Sequence, residues 1–269
     1  MLRRFIAMKT KIMKSKILKP LETLASALLL TLLVAFGPAK PTTVEAQDAA
    51  AKPAAAPATP AGAIHYDAQP TGSKMKIEGT SNVHDWRADS PLILGYLEVG
   101  PGFPLEAGQS VTPGKVEAKG QAIVITRTLT SKKENGDHYD NKMDENIYKG
   151  LKANEVAGSN IVFYLKELVL KEAPKSKDAP YVFDSKGDLE IAGVTNSVSI
   201  PINVLLVTDE KTKVTKVKIS GTTSVKMSEY KVTPATFLLG AFTVGDPVSV
   251  KFDWMLGPQP KAPPAAASK

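Results

Sequence analysis

The chain has 269 residues, a formal net charge of +7 at pH 7 and no cysteine. The missing cysteine excludes disulfide bonds, thiolate metal sites and cysteine-held iron–sulfur clusters. The excess positive charge lies at the N-terminus: residues 1–46 hold eight Lys or Arg and two Asp or Glu, which leaves 26 basic and 25 acidic residues in the remainder. Because this remainder is nearly neutral, charge provides no argument for nucleic-acid binding, and none is predicted.

The first 46 residues have the pattern of a secretory signal peptide. Seven basic residues precede the first acid, Glu22, an apolar run of 13 residues follows at 24–36, and the small-residue motif Val44-Glu45-Ala46 ends the segment. This order of regions is typical of an export signal. An uncleaved anchor is the alternative, although a membrane-spanning helix needs about 20 apolar residues. We expect cleavage near Ala46, a periplasmic or secreted product, and no stable membrane span in the mature chain.

Composition divides the remainder into three parts. Residues 47–63 consist largely of Ala and Pro, which cannot build a core and indicate an extended linker. Residues 64–256 contain no second segment of this kind and are predicted to form one domain. Residues 257–269 are again rich in Pro and Ala and are predicted to be a disordered tail.

Apolar and polar residues alternate through much of this domain. The pattern is clearest at 74–78, 122–126, 188–191, 216–220 and 248–254. A period of two indicates strands with one buried and one solvated face, as in antiparallel sheets. The sequence therefore predicts an all-β fold. By itself the alternation leaves a closed barrel and a sandwich both open.

Two strands, at 161–170 and 200–207, are apolar on both faces and are predicted to be covered on the outside as well. One candidate cover is residues 142–152, where Met143, Ile147 and Leu151 form a one-sided helical stripe. The other is residues 234–242, a short apolar helix or loop.

Four segments in order resemble the YceI-like family of exported lipid-binding barrels. They lie at 77–86 (IEGTSNVHDW), 142–163, 187–198 (GDLEIAGVTNSV) and 221–252. The resemblance implies an extended antiparallel eight-stranded barrel, similar to lipocalins, with one or two short covering helices. It also implies an interior channel for a long isoprenoid or other lipid chain and a periplasmic or secreted location.

Inward-facing apolar residues of the predicted strands form the candidate binding site. Val250 and Phe252 exemplify them, each flanked by polar neighbours on its strand. In a small barrel such residues either fill the interior or surround one ligand, and both readings stay open. The full predicted lining is Met75, Ile77, Ile123, Ile125, Phe163, Leu165, Leu189, Ile191, Val250 and Phe252.

A second set of residues is predicted at the mouth of the barrel or against a ligand head group. It comprises His84, Trp86, Phe237, Leu238 and Phe242. The alternative for the segment around His84 is a structural corner, in which Asn82, His84 and Asp85 hydrogen-bond backbone groups. In that corner Trp86 buries its ring and hydrogen-bonds its N–H.

Catalysis has little support in the sequence, and the protein is predicted not to be an enzyme. Its three histidines, His65, His84 and His138, are far apart, and no serine lies in a nucleophile elbow. No metal and no cofactor are predicted, apart from a bound isoprenoid or quinone-like lipid. A zinc site or a hydrolase centred on His84 or His138 is a minor alternative.

The leading hypothesis is an exported protein that holds an isoprenoid or other long-chain apolar lipid in its barrel. The main alternative is a non-catalytic structural or interaction module of the cell envelope with a filled core. The oligomeric state is left open, with a homodimer among the options.

Overall fold

The computed structural model describes residues 62–234, 236–237 and 241–259, with the backbone alone at 236, 237 and 242. The predicted signal peptide at 1–46, most of the linker, the tail from 260 onward and Leu238 lie outside the described residues. Within the described ranges, no helix is both long enough and apolar enough to cross a membrane.

Strands dominate the described ranges, together with one α-helix and three short 3₁₀ turns. In chain order the elements are β1 (Ile64–Ala68), β2 (Lys74–Ser81), β3 (Trp86–Ser90), β4 (Leu94–Val99), β5 (Gly114–Val116), β6 (Ala118–Ile125), β7 (Thr130–Lys132), α1 (Asn141–Gly150), β8 (Asn160–Glu172), β9 (Tyr181–Ile191), β10 (Val194–Thr208), β11 (Thr215–Lys226), β12 (Thr236–Phe237) and β13 (Phe242–Pro258).

The strands form a closed antiparallel barrel of eight, as predicted. Its order is β1-β4-β6-β8-β9-β10-β11-β13, and β1 closes the ring by pairing with the end of β13, where Tyr66 lies opposite Pro258. Residues 244–253 of β13 pair with β2, β2 pairs with β3, and β3 pairs with β7. Three pairs of consecutive segments thus each act as one bent strand of the barrel wall: β1 with β2, β3 with β4, and β6 with β7.

The two ends of the barrel differ in packing. At one end β4, β5, β8 and β9 surround fully buried side chains, among them Val99, Leu170, Tyr181 and Phe183. We call this the closed end. The opposite end carries α1 and a smaller cluster around Leu189, Val225 and Tyr230. We call this the α1 end, and the site lies between the two.

The predicted helix is present, but its position on the barrel differs from the prediction. It spans Asn141–Gly150 rather than 142–152, and Asp140 caps it by accepting the N–H of Met143 at 2.6 Å. Its apolar stripe, Met143, Ile147 and Leu151, lines the barrel interior at the α1 end. The prediction that it covers β8 or β10 from outside is therefore wrong, because the apolar stripe lies over one end of the barrel interior instead.

Strand β10 also needs no external cover. Its inward residues Ile200, Ile202 and Val204 are buried, whereas Pro201 and Val207 on the other face are exposed, Val207 by 41%. Isolated apolar side chains at a protein surface are common and cost little. The run of apolar residues in β10 thus reflects a tolerated outer face rather than burial on both sides.

The segment predicted as an apolar helix or loop at 234–242 contains a short β-hairpin arm. Thr236 lies opposite Thr243, and Phe237 lies opposite Phe242. At the C-terminus, β13 continues to Pro258, two residues into the predicted tail, because Gly257 and Pro258 pair with Asp67 and Tyr66 of β1.

Candidate ligand-binding site

The barrel encloses a cavity of about 800 Å³ that extends from the α1 end toward the closed end. This volume lies within the range of small-molecule sites. Eight of the predicted lining residues border it: Met75, Ile77, Phe163, Leu165, Leu189, Ile191, Val250 and Phe252. Further apolar residues that sequence reasoning missed also line it, including Ile219 and Trp254.

Partial burial of inward side chains shows that this part of the interior is hollow. Ile77, Phe163, Val250 and Phe252 point into the barrel, yet each keeps part of its surface accessible. Inward residues at the closed end, such as Phe183, have no accessible surface. The accessible part of the first group therefore borders the cavity.

Ile123 and Ile125 were predicted to face inward, and this orientation is wrong. Ala122 lies directly opposite Phe163 of β8, and residues opposite each other in a sheet share a face. Since Phe163 points inward, Ala122 also points inward and Ile123 points out. Ile125 is 36% exposed. Residues 122–125 are apolar at both the odd and the even positions, so the pattern within the strand does not show which set faces inward. The register with the neighbouring strands decides it.

The mouth of the cavity lies at the α1 end. Lining residues there are exposed and polar, in contrast to the rest of the wall: His84, Asp85, Lys133, Glu134, Tyr139 and Lys142. The rings of His84 and Tyr139 lie 6.3 Å apart across this opening. His84 therefore lies where the sequence predicts a mouth residue. Phe237 and Phe242 are opposed in the hairpin arm.

The corner between β2 and β3 beside the mouth is held by Ser81 and Asn82. The Ser81 hydroxyl oxygen accepts the N–H groups of Val83 and His84, at 3.2 and 3.1 Å. Asn82 donates to the carbonyl of Ala241 and accepts the N–H of Thr243, both at 2.9 Å. Asn82 therefore binds backbone groups, as the structural corner predicts. The role of Ser81 was missed.

Trp86 lines the cavity, but its predicted hydrogen bond is absent. Its indole N–H is buried and has no partner among the described residues. The ring lies against Gly79, where an added Cβ would come within 2.4 Å of Trp86 Cε2. Gly79 thus marks a close approach between the β2 backbone and the Trp86 ring.

The three histidines lie in separate surroundings. His65 is on the outer face of β1, where it is hydrogen-bonded to Asp67 at 2.9 Å and Glu98 at 3.1 Å. Burial alone would lower the pKa of His65, but these two carboxylates raise it above its usual value. His138 binds Asp144 at 2.7 Å. Over the described part of the chain, no group of His, Asp and Glu is placed to hold a metal ion.

Helix α1 is attached to the barrel through two polar side chains. Asp144 is buried and accepts the Ser131 N–H at 2.6 Å in addition to its contact with His138. Burial opposes ionisation of Asp144, but the bonds from Ser131 and His138 lower its pKa below the usual value. Tyr148 donates to the Leu129 carbonyl at 2.8 Å. The helix over the mouth is thus fixed to residues 127–131.

A closed antiparallel barrel whose apolar cavity opens at one end defines a lipocalin-like class of fold. The model of the YceI-like domain matches residues 106–256, more than half of the chain. The chain belongs to this family, as its four ordered segments predict.

Several solved structures are similar to the chain at low sequence identity. BcnA of Burkholderia cenocepacia is 14% identical, with a TM-score of 0.46 over 68% of this chain and 95% of its own. A polyisoprenoid-binding domain from Saccharophagus degradans, implicated in plant cell wall breakdown, is 10% identical, with a TM-score of 0.49 over 73% and 99%. A YceI protein of Campylobacter jejuni is 13% identical, with a TM-score of 0.39 over 60% and 94%. No curated protein sequence matches the chain.

Proposed function

We propose that this protein binds a long-chain apolar lipid of the isoprenoid class inside its barrel. The observation that carries the proposal is the apolar cavity of about 800 Å³ with its mouth beneath α1. Membership of the YceI-like family favours the isoprenoid class among apolar ligands. The unfilled interior also favours ligand binding over the alternative of an interaction module with a filled barrel.

Affinity would come mainly from apolar burial. Few polar groups line the wall, and two serine hydroxyls among them are already used: Ser185 donates to the Ile200 carbonyl at 2.7 Å, and Ser131 donates to the Asp140 carbonyl at 3.2 Å. The indole N–H groups of Trp86 and Trp254 are buried and have no partner among the described residues. Each Å² of apolar surface that a ligand removes from water contributes roughly 25 cal/mol. A flexible hydrocarbon chain matches such a wall, whereas a polar ligand would lose its hydration and gain few hydrogen bonds in return.

We further propose that the protein is exported and that it binds its ligand without catalysing a reaction. The polar residues of the mouth provide space for a ligand head group at the water boundary, while the chain lies in the interior. The basic N-terminus and its apolar run support export to the periplasm or the medium. A protein of this kind would carry or store its lipid outside the cytoplasm.

Filling the cavity with a large side chain tests this function. Val250 points into the cavity beside Ile77, and its neighbour Lys251 points outward and is exposed. We expect Val250→Trp to weaken binding of a radiolabelled polyprenol at least tenfold, since the indole occupies the ligand's space. Lys251→Trp places the same ring outside and should leave binding unchanged.

The measurement is equilibrium binding with protein purified without detergent, together with native mass spectrometry of the protein as isolated. Circular dichroism establishes that both variants fold. Wild-type protein that binds no polyprenol and yields no lipid would refute the proposed function. Equal binding by wild type and a folded Val250→Trp variant would place the ligand outside the barrel.

A further inference from the structure

The loop between β4 and β5 places an aromatic side chain across the inner end of the cavity. Phe103 belongs to this loop, is 4% exposed and is part of the cavity wall. Its ring stacks on Phe183 of β9 with a centroid distance of 5.9 Å. Phe183 has no accessible surface. The cavity thus ends on Phe103, with solid core behind it.

The loop holds Phe103 by several independent contacts. Residues 100–103 form a β-turn with Pro101 and Gly102 at its centre. The Phe103 N–H donates to the Gly100 carbonyl at 3.4 Å. Gly102 has a φ of +88°, as the third residue of a type II turn requires. Next in the chain, Pro104 is fully buried. The position of the Phe103 ring is therefore set by the backbone.

The second half of the loop is attached to the barrel wall. The Tyr181 hydroxyl donates toward the carbonyl oxygens of Gln109 and Glu106, at 2.8 and 3.2 Å. Gln109 in turn accepts the N–H of Leu105 at 2.7 Å through its side-chain oxygen. Tyr181 is itself 1% exposed. These bonds make the loop a fixed part of the barrel end.

We propose that Phe103 determines the maximum length of the lipid chain that the cavity accepts. The inference rests on the proposed function and specifies it. A polar head group stays at the mouth, where His84, Lys133 and Lys142 are exposed, so the chain must fit between the mouth and the Phe103 ring. A chain longer than this distance would have to fold back or protrude into water.

The size of the ring predicts the size of the effect. Truncating a buried phenylalanine to alanine leaves a cavity unless the surroundings collapse. Here the new space joins the existing cavity, and it corresponds to roughly one five-carbon isoprene unit. Phe103→Ala should therefore shift the preferred chain length upward by about one unit, and Phe103→Trp should shift it downward.

The test is competition among linear polyprenols that differ by single isoprene units. Full-length protein is incubated with an equimolar mixture, and the bound distribution is read by mass spectrometry. Phe163→Ala is the matched control, because Phe163 lines the wall and packs against the cluster at the α1 end. Its loss is expected to widen the cavity there without moving the inner end. Phe103→Leu, a milder truncation, keeps the test valid should Phe103→Ala fail to fold.

An upward shift in Phe103→Ala or Phe103→Leu, with no shift in Phe163→Ala, supports the inference. A folded Phe103 variant with the wild-type distribution overturns it and leaves the proposed function intact. An equal upward shift in Phe163→Ala also overturns it, because total volume would then govern selection. Failure of the wild-type protein to bind any polyprenol refutes the proposed function itself.

Discussion

Replacing Gly95 by alanine is expected to lower the free energy of unfolding by about 4 kcal/mol. Gly95 in β4 has a φ of +114°, a conformation that side chains disfavour. A Cβ at this position would lie 1.8 Å from the Gln121 carbonyl oxygen of β6. Because the obstructing atom belongs to the backbone, the two strands must separate, and their hydrogen bonds weaken with them.

Urea unfolding followed by circular dichroism measures this effect. Gly136→Ala is the control, since Gly136 has a similar φ of +90° with no atom within 4 Å of the added Cβ. The loss of stability in Gly136→Ala measures the conformational strain alone, which is about 1 kcal/mol or somewhat more. Equal losses in the two variants would show that the β4–β6 contact is not as tight as described.

The second large effect is expected at the attachment of α1. Asp144→Ala should lower the free energy of unfolding by about 2–3 kcal/mol at pH 7, because it leaves the buried Ser131 N–H without an acceptor and removes the partner of His138. The helix covers the mouth, so the same change should also speed ligand release. Stopped-flow displacement of a bound lipid measures that rate.

The contribution of Asp144 depends on pH in a defined direction. Its pKa in the folded protein is below the usual value of 3.8, so ionised Asp144 stabilises the fold above this pH. Stability is lost as the pH falls below 3.8 through the folded-state pKa. The difference between wild type and Asp144→Ala should therefore shrink in strong acid, which unfolding at a series of pH values can establish.

Glu145→Ala provides the control for these experiments, because Glu145 is an exposed carboxylate on the same helix. It should change neither stability nor release by a measurable amount. Asp144→Asn keeps an acceptor for Ser131 but loses the charge, so an intermediate loss is expected. A wild-type loss of stability in acid that persists unchanged in Asp144→Ala would assign the pH dependence to other carboxylates.

Much of the fold follows from local patterns. The alternation at 248–254 places Val250 and Phe252 inside because their polar neighbours can only face water. The stripe Met143, Ile147 and Leu151 likewise requires a helix with one buried face. These patterns predict the structure well because the polarity of each residue by itself indicates whether it faces the interior or the solvent.

Other features could not be found this way. Residues 122–125 are apolar at both the odd and the even positions, and the sequence pattern favours Ile123 as the inward residue. The pairing of β6 with β8 shows that Ala122 faces inward instead. The Trp86 ring packs on Gly79 of the neighbouring strand β2, and its N–H has no partner among the described residues. Both errors concern contacts between strands, which no local pattern contains.

The amino-acid sequence by itself determined the strand and helix types and the family, since these depend on periodicity and motif order within short segments. Only the tertiary structure decided which side of β6 faces in, that α1 lies over the mouth, and that Phe103 from a Pro- and Gly-containing loop closes the inner end. The physical reason is that a cavity is bounded by residues distant in sequence. Its shape depends on barrel closure and strand register, which are properties of the whole chain.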